Sequence, residues 1–461
     1  MNMSPISEKL SSYPIETIEE LHDFNLRSDA KVRLSNYLSG FFESISSGHS
    51  LRVWADHISG YLPEGVCVTK GGLHKRLGPR QLACVAAMLQ HSLQSGLTDL
   101  HSQSLSSGWF QSFGKVYVED SVCMKLNKAL SESFPGSHSS KGPTSTARLQ
   151  VRMNLQDLSY EHFSLHSYRA NDQKYSGDIV PVLQAGDLVL RDLGYWSLEV
   201  FRQIMAKDAY VLSRYKPGVN LYEAGVSEAL DLVEKLKQIE RRGGNYWQSK
   251  VEVGKEARLP MRIVALKCSK EVKEKRVAKA QKDRHQKTNH DHTYYELLGW
   301  TIFLTNVPKE VWKPHEILLI YGFRWHIEMV FKVWKSQFEL QKVLTKAQIK
   351  KANHLKIFIH LFLLYVLLFY TPYYRSYAYE IYQQHRRLLS GFLFAEFLKK
   401  NLHQLIDAQL KGQHQHIIRR LMQTALCEQR QLRKYQLEIL FLIKKPKLMV
   451  LIEPNPHTTQ P

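Results

Sequence analysis

The sequence has few cysteines and lacks any paired cysteine motif. The five that occur are scattered, are odd in number and include no CxxC pair; they are Cys67, Cys84, Cys123, Cys268 and Cys427. This pattern excludes the zinc and redox sites that depend on closely spaced cysteines. We therefore interpret the five as small core residues.

Long apolar runs and an export signal are also missing. The longest largely apolar stretch, residues 357–370, contains His360 and falls short of the roughly 20 residues that a membrane-spanning helix needs. It predicts a buried helix and no membrane span. The first 20 residues are polar and partly acidic, unlike a secretory signal. These absences predict a cytoplasmic protein.

Acidic residues are outnumbered by basic ones. The chain has 63 Lys and Arg against 43 Asp and Glu, a formal net charge of +20. Such a surplus attracts a polyanion such as nucleic acid, although a soluble basic protein or one that contacts anionic membranes has the same balance. With 461 residues, 44% of them hydrophobic, the chain is long enough for two to four domains with buried cores.

The first 112 residues predict helices. Apolar residues recur at intervals of three and four in segments 30–45, 51–61 and 80–93. Between residues 50 and 77, two short helical patterns flank the turn Pro63-Glu64-Gly65, and the second pattern is basic. This arrangement fits a helix-turn-helix that reads DNA, and it fits an ordinary helical pair equally well.

The pattern changes to alternating strands and helices from residue 114. A strand at 116–118 ends on Asp120, segments 148–155 and 161–168 predict a hairpin, and a helical stretch follows at 175–184. A strand at 188–190 then ends on Asp192, before a helix at 197–205 and a strand at 209–213. This order predicts an open α/β sheet of mixed strands, in which ligands gather beyond the carboxyl ends of strands.

Residues 216–299 interrupt this order and predict an inserted, strand-rich domain. A helical pattern at 226–240 and a glycine pair precede strand patterns at 247–253 and 261–266, and a basic stretch follows at 270–287. That basic stretch fits either a DNA-binding surface or a solvated helix face. The core pattern resumes with a strand at 300–305, and helical patterns then extend to about residue 442.

One segment combines a carboxylate with several phosphate-binding side chains. In a helix of about 100° per residue, Tyr321, Arg324, Glu328 and Lys335 share an arc of roughly 60°. The apolar residues beside them occupy a neighbouring arc, so the helix can pack on a core while this polar row lies at its rim. Taken alone, Glu328 could equally form a surface ion pair with Arg324 or Lys332.

Two further carboxylates favour a functional role for Glu328 over a surface ion pair. Asp120 and Asp192 both follow predicted strands, where side chains can converge on one site, although Asp120 could instead begin a turn and Asp192 could cap a helix. Together with Glu328 they form an oxygen-ligand set suited to Mg²⁺, with Mn²⁺ as a substitute. Two such ions would serve phosphoryl transfer by activating the attacking oxygen and stabilising the leaving one.

The spacing Tyr321-x2-Arg324-x3-Glu328-x6-Lys335 resembles the Y-(2)-R-(3)-E-(6)-K signature of bacterial insertion sequence 4 family transposases. Segments 118–121, 192–195 and 299–306 also resemble the blocks of that family. The resemblance implies an RNase H-like catalytic core with an inserted β-rich domain and helical terminal regions. The implied divisions are 1–112 (DNA-binding), 113–215 (core), 216–299 (insertion), 300–375 (core) and 376–461 (helical).

The resemblance also implies residue roles. Asp120, Asp192 and Glu328 would bind the metal ions, and Tyr321, Arg324 and Lys335 would contact the backbone of the transposon end. His326 departs mildly from the family pattern. An insertion-domain tryptophan stacks on a flipped base in some relatives, which makes Trp247 a candidate, although core packing is an ordinary role for any tryptophan.

The resulting functional prediction is a transposase that cleaves element ends with water and joins the freed 3′-hydroxyl groups to target DNA. Its expected partners are double-stranded DNA and a second copy of the chain, since synapsis joins two ends, and its expected location is the prokaryotic cytoplasm, at the nucleoid. Two alternatives remain open. One is a catalytically silent DNA-binding or regulatory protein, and the other is a nuclease of the same fold.

Overall fold

The computed structural model describes residues 4–27, 29–48, 50–95, 109–137, 140, 142–283, 292–346 and 349–428. The expected helical pattern up to residue 442 therefore extends past the described residues after residue 428. His285 and His290 also lie outside the described residues.

The N-terminal region is helical, as the sequence predicts. Its helices are α1 (Pro5–Leu10), α2 (Ile15–Leu21), α3 (Leu34–Ser47), α4 (Leu51–Gly60), α5 (Lys70–Lys75) and α6 (Pro79–Gln94). Ser50 and Thr69 cap α4 and α5, because each side chain accepts a hydrogen bond from a backbone N–H in the first turn. The two helical patterns expected between residues 50 and 77 thus correspond to α4 and α5.

Nine strands form one mixed sheet in the order β3-β2-β1-β4-β5-β9-β8-β7-β6. The strands are β1 (Val116–Lys125), β2 (Thr146–Asn154), β3 (Ser159–Ser167), β4 (Leu188–Arg191), β5 (Tyr210–Arg214), β6 (Leu221–Glu223), β7 (Tyr246–Val253), β8 (Leu259–Lys267) and β9 (Trp300–Thr305). Only β1–β4 and β4–β5 are parallel pairs, and the other pairs are antiparallel. The mixed α/β sheet expected from the sequence is therefore present.

The strands of segment 216–299 belong to this same sheet. β8 pairs with β9 over six residues, from Arg262 opposite Thr305 to Lys267 opposite Trp300. β7 then pairs with β8, and β6 pairs with β7 at the end of the sheet. The α-helices between β4 and β9 are α7 (Leu198–Met205), α8 (Leu232–Arg241), α9 (Lys270–Asp283) and α10 (His292–Leu297). The helical stretch expected at 175–184 is a 3₁₀ helix at Asp172–Val182.

The sheet separates two cores because side chains alternate along each strand. Val118, Leu190 and Phe303 belong to the larger core, which includes the N- and C-terminal helices. Their chain neighbours Tyr117, Val189 and Leu304 belong to the smaller core, beneath the 3₁₀ helix and α7. Successive residues of a strand therefore face opposite layers.

The C-terminal half supplies helices to the larger core. They are α11 (Pro314–Gly322), α12 (Trp325–Ser336), α13 (Leu340–Lys346), α14 (Ala352–Tyr365), α15 (Thr371–His385), α16 (Gly391–Leu410) and α17 (Gln415–Thr424), with a π-helical turn at Val366–Tyr370. The stretch Ala352–His385 has the length and apolar composition of a membrane span, but 89% of its apolar window is buried inside the protein. The prediction of a buried helix at 357–370 is therefore confirmed.

Candidate active site

β1 and β4 bring Asp120 and Asp192 to the same face of the sheet. The parallel ladder runs from Val116 opposite Leu188 to Val118 opposite Leu190, and each aspartate lies two residues beyond its last pair. Asp120 was expected at the end of a strand, but β1 continues to Lys125 against β2. Its position past the ladder with β4 still gives the convergence that the sequence predicts.

Helix α12 places Glu328 over these aspartates. Its residues Ile327, Phe331 and Trp334 are at most 6% exposed and belong to the larger core. Glu328 follows Ile327 by about 100° around the helix, which brings it to the rim of the packed face. Its side chain is 37% exposed.

Arg324 lies between the three carboxylates. Its Nη2 donates to Glu328 Oε1 at 2.5 Å, its Nη1 is 3.6 Å from Asp120 Oδ2, and its Nε is 3.8 Å from Asp192 Oδ1. The Nε hydrogen has no hydrogen-bond partner among the described residues, although the atom is buried. The positive charge of one guanidinium therefore lies close to three carboxylates that come from separate segments of the chain.

The closeness of several acidic groups and one guanidinium shifts the pKa values of Asp120 and Arg324. The pKa of Asp120 is raised to about 6, mainly by burial; the Ser121 backbone N–H and Arg324 lower it, and Asp192 and Glu328 contribute to the rise. Burial lowers the pKa of Arg324, but Asp192, Tyr321 and Glu328 more than offset this effect, so the pKa is raised. The cluster favours a cation among its acids.

Asp120, Asp192 and Glu328 supply donor atoms of the type that a divalent cation binds. As they stand, no three His, Cys, Asp or Glu side chains in the described ranges are placed to hold a metal ion. The guanidinium of Arg324 lies among the three carboxylates instead. Carboxylate oxygens are the ligands that Mg²⁺ and Mn²⁺ prefer, and Asp192 makes no hydrogen bond to the following turn that would occupy it as a cap.

Tyr321 and Arg324 are not on the same helix as Glu328, contrary to the single helical arc assumed from the sequence. Tyr321 belongs to α11, and Phe323 and Arg324 form a tight turn before α12 in which their N–H groups bond three residues back. Phe323 is fully buried there. The Tyr321 hydroxyl donates to the Arg191 carbonyl at 3.2 Å, next to Asp192, and burial raises its pKa to about 12.

Lys335 lies on α12 near β1. It is exposed and has no ion-pair partner in the part of the chain that the structure describes. Its charge lowers the pKa of the Cys123 thiol on β1, which burial raises overall. The ammonium group is therefore close to the strand that carries Asp120 and is free to meet an external anion.

Trp247 does not join this group, and its surroundings are those of a core residue. It is 8% exposed, belongs to the smaller core, and has the Lys235 ammonium 5.8 Å from its ring centroid. Its strand β7 pairs with β8, so the side chain packs into the layer beneath rather than into solvent. The side chain therefore lies mostly inside the protein, and the base-stacking role stays a prediction.

Asp172 is a neighbour of the site that the sequence did not reveal. Its Oδ1 accepts hydrogen bonds from Ser121 Oγ at 2.7 Å, Arg148 Nη1 at 2.8 Å and Gln150 Nε2 at 2.8 Å. Gln150 in turn accepts from the Tyr195 hydroxyl. An aspartate before a helical pattern resembles an N-cap, so no local signal distinguishes it.

Comparison with known proteins identifies a family for most of the sheet-forming region. The family described as "Transposase DDE domain" matches residues 111–367, more than half of the chain. The transposase of insertion sequence element IS231D from Bacillus thuringiensis subsp. finitimus is 25% identical over 294 residues, covering 60% of this chain and 61% of that protein. The IS231F transposase from Bacillus thuringiensis subsp. israelensis is 25% identical over 308 residues, covering 63% and 64%.

A more distant relative and one solved structure also match. The IS1151 transposase of Clostridium perfringens is 24% identical over 249 residues, covering 50% of this chain and 52% of that protein. A piggyBac transposase synaptic complex with hairpin DNA has a TM-score of 0.40 at 8% identity, covering 94% of this chain and 82% of that one. The matched region spans about three fifths of the length of the IS231 relatives. The chain belongs to the family of proteins that carry the transposase DDE domain.

Proposed function

We propose that this protein is the transposase of a bacterial insertion sequence of the insertion sequence 4 type. It would cleave the ends of its element by phosphodiester hydrolysis and join the freed 3′-hydroxyl groups to target DNA. The observation that carries the proposal is the convergence of Asp120, Asp192 and Glu328 on Arg324 at one edge of the sheet. These acids come from three separate segments of the matched family region.

The three carboxylates would hold two Mg²⁺ ions, with Mn²⁺ as a substitute. When bound, such ions activate the attacking oxygen and stabilise the leaving oxygen of a phosphodiester. Asp120, Asp192 and Glu328 supply the negative charge that retains the cations beside DNA. Arg324 exchanges its carboxylate partners for a phosphate of the element end, which its planar fork can bind through two hydrogen bonds.

Lys335 and Tyr321 have different parts in this scheme. Lys335 binds a backbone phosphate as a point charge, since its ammonium is exposed beside β1. Tyr321 holds the Arg191 carbonyl and so steadies the turn that presents Asp192. Its hydroxyl reaches DNA only by giving up that bond.

The domain arrangement follows from the same proposal. Residues 113–215 and 300–375 would form an RNase H-like core, residues 216–299 an insertion that extends the sheet from β9, and residues 1–112 a DNA-binding region. Residues 376–461 would form a C-terminal region, whose described part, up to residue 428, lies in the helical layer. Two copies would hold two element ends, in the cytoplasm of a prokaryotic cell, at the nucleoid.

The test of function is an assay on element ends. With Mg²⁺ or Mn²⁺, the purified chain should cleave duplexes that carry its terminal repeats and join pre-cleaved 3′ ends to a target plasmid. With EDTA both reactions should stop, and added Mg²⁺ should restore them. Cleavage without joining would indicate a nuclease, and end binding without either reaction would indicate a regulatory DNA-binding protein.

Removing the charge of Lys335 should weaken binding to DNA ends and make it less sensitive to salt. Each phosphate contact releases counterions and contributes about 0.9 to the slope of log affinity against log salt concentration. Lys335→Ala should therefore lower that slope by roughly 1, while Lys335→Arg should keep most of it and regain part of the activity. Fluorescence anisotropy over a range of NaCl concentrations measures the slope.

Lys332→Ala is the matched control, because Lys332 is exposed on the same helix but lies over the ring of Phe392, at 5.7 Å. Its slope should equal that of the unmodified protein. Equal slopes for all three variants and the unmodified chain would remove Lys335 from the DNA interface.

A further inference from the structure

The backbone ladder between β1 and β4 stops before the two aspartates. Its last paired residues are Val118 and Leu190, two residues before each carboxylate. Past that point β1 is held by β2, and β4 ends against β5 with Arg191 opposite Ser213. The paired residues of the shared ladder therefore do not include Asp120 or Asp192.

A buried ion pair joins the two strands at the first position past the ladder. Glu119 Oε2 lies 3.2 Å from Arg191 Nη1, and Glu119 Oε1 accepts a hydrogen bond from Arg152 Nε at 2.8 Å. The three side chains are 7%, 0% and 5% exposed, respectively. Glu119 directly precedes Asp120, and Arg191 directly precedes Asp192. Strand alternation places the ion pair on the opposite face of the sheet, behind the carboxylates.

Arg191 is held from both layers of the fold. On the side of the smaller core, its Nη2 donates to the Ser176 carbonyl in the 3₁₀ helix at 2.7 Å. On the other side, its own carbonyl accepts the Tyr321 hydroxyl at 3.2 Å. The residue before Asp192 is thereby fixed in rotation as well as in position.

A buried ion pair is an expensive way to gain stability, because removing charges from water offsets most of their attraction. What the pair adds over apolar side chains of similar size is an attraction between opposite charges that are attached to two defined backbone positions. Here those positions are the neighbours of two proposed metal ligands.

We propose that Glu119 and Arg191 are positioning residues that set the separation of Asp120 and Asp192, so that both carboxylates bind the same cations. This inference rests on the proposed function. Residues that orient metal ligands without contacting the metal typically change metal affinity by about 10- to 100-fold when replaced.

Direct Mn²⁺ binding to the full-length protein tests the proposal without relying on activity. Free Mn²⁺ is measured by electron paramagnetic resonance during a titration, and thermal unfolding is followed on the same samples. Glu119→Gln should weaken Mn²⁺ binding about tenfold or more. Glu19→Gln is the matched control, since Glu19 is equally buried and pairs with Arg33 at 2.8 Å among the N-terminal helices. It should lower the melting temperature and leave Mn²⁺ affinity unchanged.

Arg191→Lys and Arg191→Met provide a second route if Glu119→Gln does not fold. Lysine keeps the charge opposite Glu119 and should retain more Mn²⁺ affinity than methionine. Affinities within twofold of the unmodified protein for Glu119→Gln and Arg191→Met, at lower melting temperatures, would show that the pair is only structural.

Asp120→Asn in the same titration separates the two proposals. If it loses Mn²⁺ binding while Glu119→Gln keeps it, the positioning role is wrong and the proposed metal site stands. If Asp120→Asn binds Mn²⁺ as tightly as the unmodified protein, the metal site itself is wrong, and the positioning role falls with it.

Discussion

Replacing Asp120, Asp192 or Glu328 by alanine is expected to reduce Mg²⁺-dependent end cleavage by on the order of a thousandfold, because bound ions contribute several kcal/mol to the transition state. Each replacement removes one of the three acids that meet around Arg324. Binding of the element end should change little, since it depends on basic residues. Gel-shift and cleavage assays on the same preparation measure both quantities.

The control for this series is Glu199→Ala. Glu199 is a largely exposed acid on α7 that pairs with Arg202 at 2.6 Å, and its loss removes the same charge from the surface. Its cleavage rate should match that of the unmodified protein. A variant at Asp120, Asp192 or Glu328 that cleaves at the full rate would remove that residue from the site, whatever its position in the fold.

Trp334→Ala is expected to lower the free energy of unfolding by about 3–5 kcal/mol, the usual cost of truncating a large buried aromatic side chain. Trp334 is fully buried. Its ring lies 5.5 Å from Phe331 and Phe362, and 6.4 Å from Phe163, measured between centroids. It therefore joins α12 to α14 and to the sheet. Urea unfolding followed by circular dichroism measures the loss.

Trp325→Ala is the matched control on the same helix. Trp325 is 55% exposed, so its truncation removes little buried surface and should change the free energy of unfolding by less than about 0.5 kcal/mol. Equal losses for the two variants would show that α12 is not held by its buried face. The position of Glu328 over the sheet would then need another explanation.

Most secondary structure was predictable because its signals are local. The expected strands at 188–190, 247–253 and 300–305 correspond to β4, β7 and β9 with shifts of one residue at most. The start of α4 at Leu51 was likewise predictable, since it matches the helical segment expected at 51–61. The break before α12 was not, because residues 321–335 keep a helical apolar pattern through the buried Phe323. The spacing of apolar residues does not reveal a single tight turn between two helices.

The approximate location of the candidate site was predictable for a similar reason. Asp120 and Asp192 follow apolar strand residues, and strand ends in such sheets gather at one edge. The contact of Arg324 with both aspartates was not predictable, because residues more than 130 positions apart meet only through the packing of α12 on β1. The burial of Trp247 was not predictable either. Alternation along its strand shows that neighbouring residues face opposite sides of the sheet, but it does not show which side is buried.

The sequence by itself determined most of the helices and strands, the position of Asp192 directly after a strand, and the spacing from Tyr321 to Lys335. Each depends on residues a few positions apart, whose geometry is fixed by the backbone repeat. The tertiary structure alone decided that Arg324 lies between three acids, that Tyr321 bonds to the Arg191 carbonyl, and that Glu119 meets Arg191 behind the site. Those contacts join distant segments, and only the layering of helices on the sheet sets their distances.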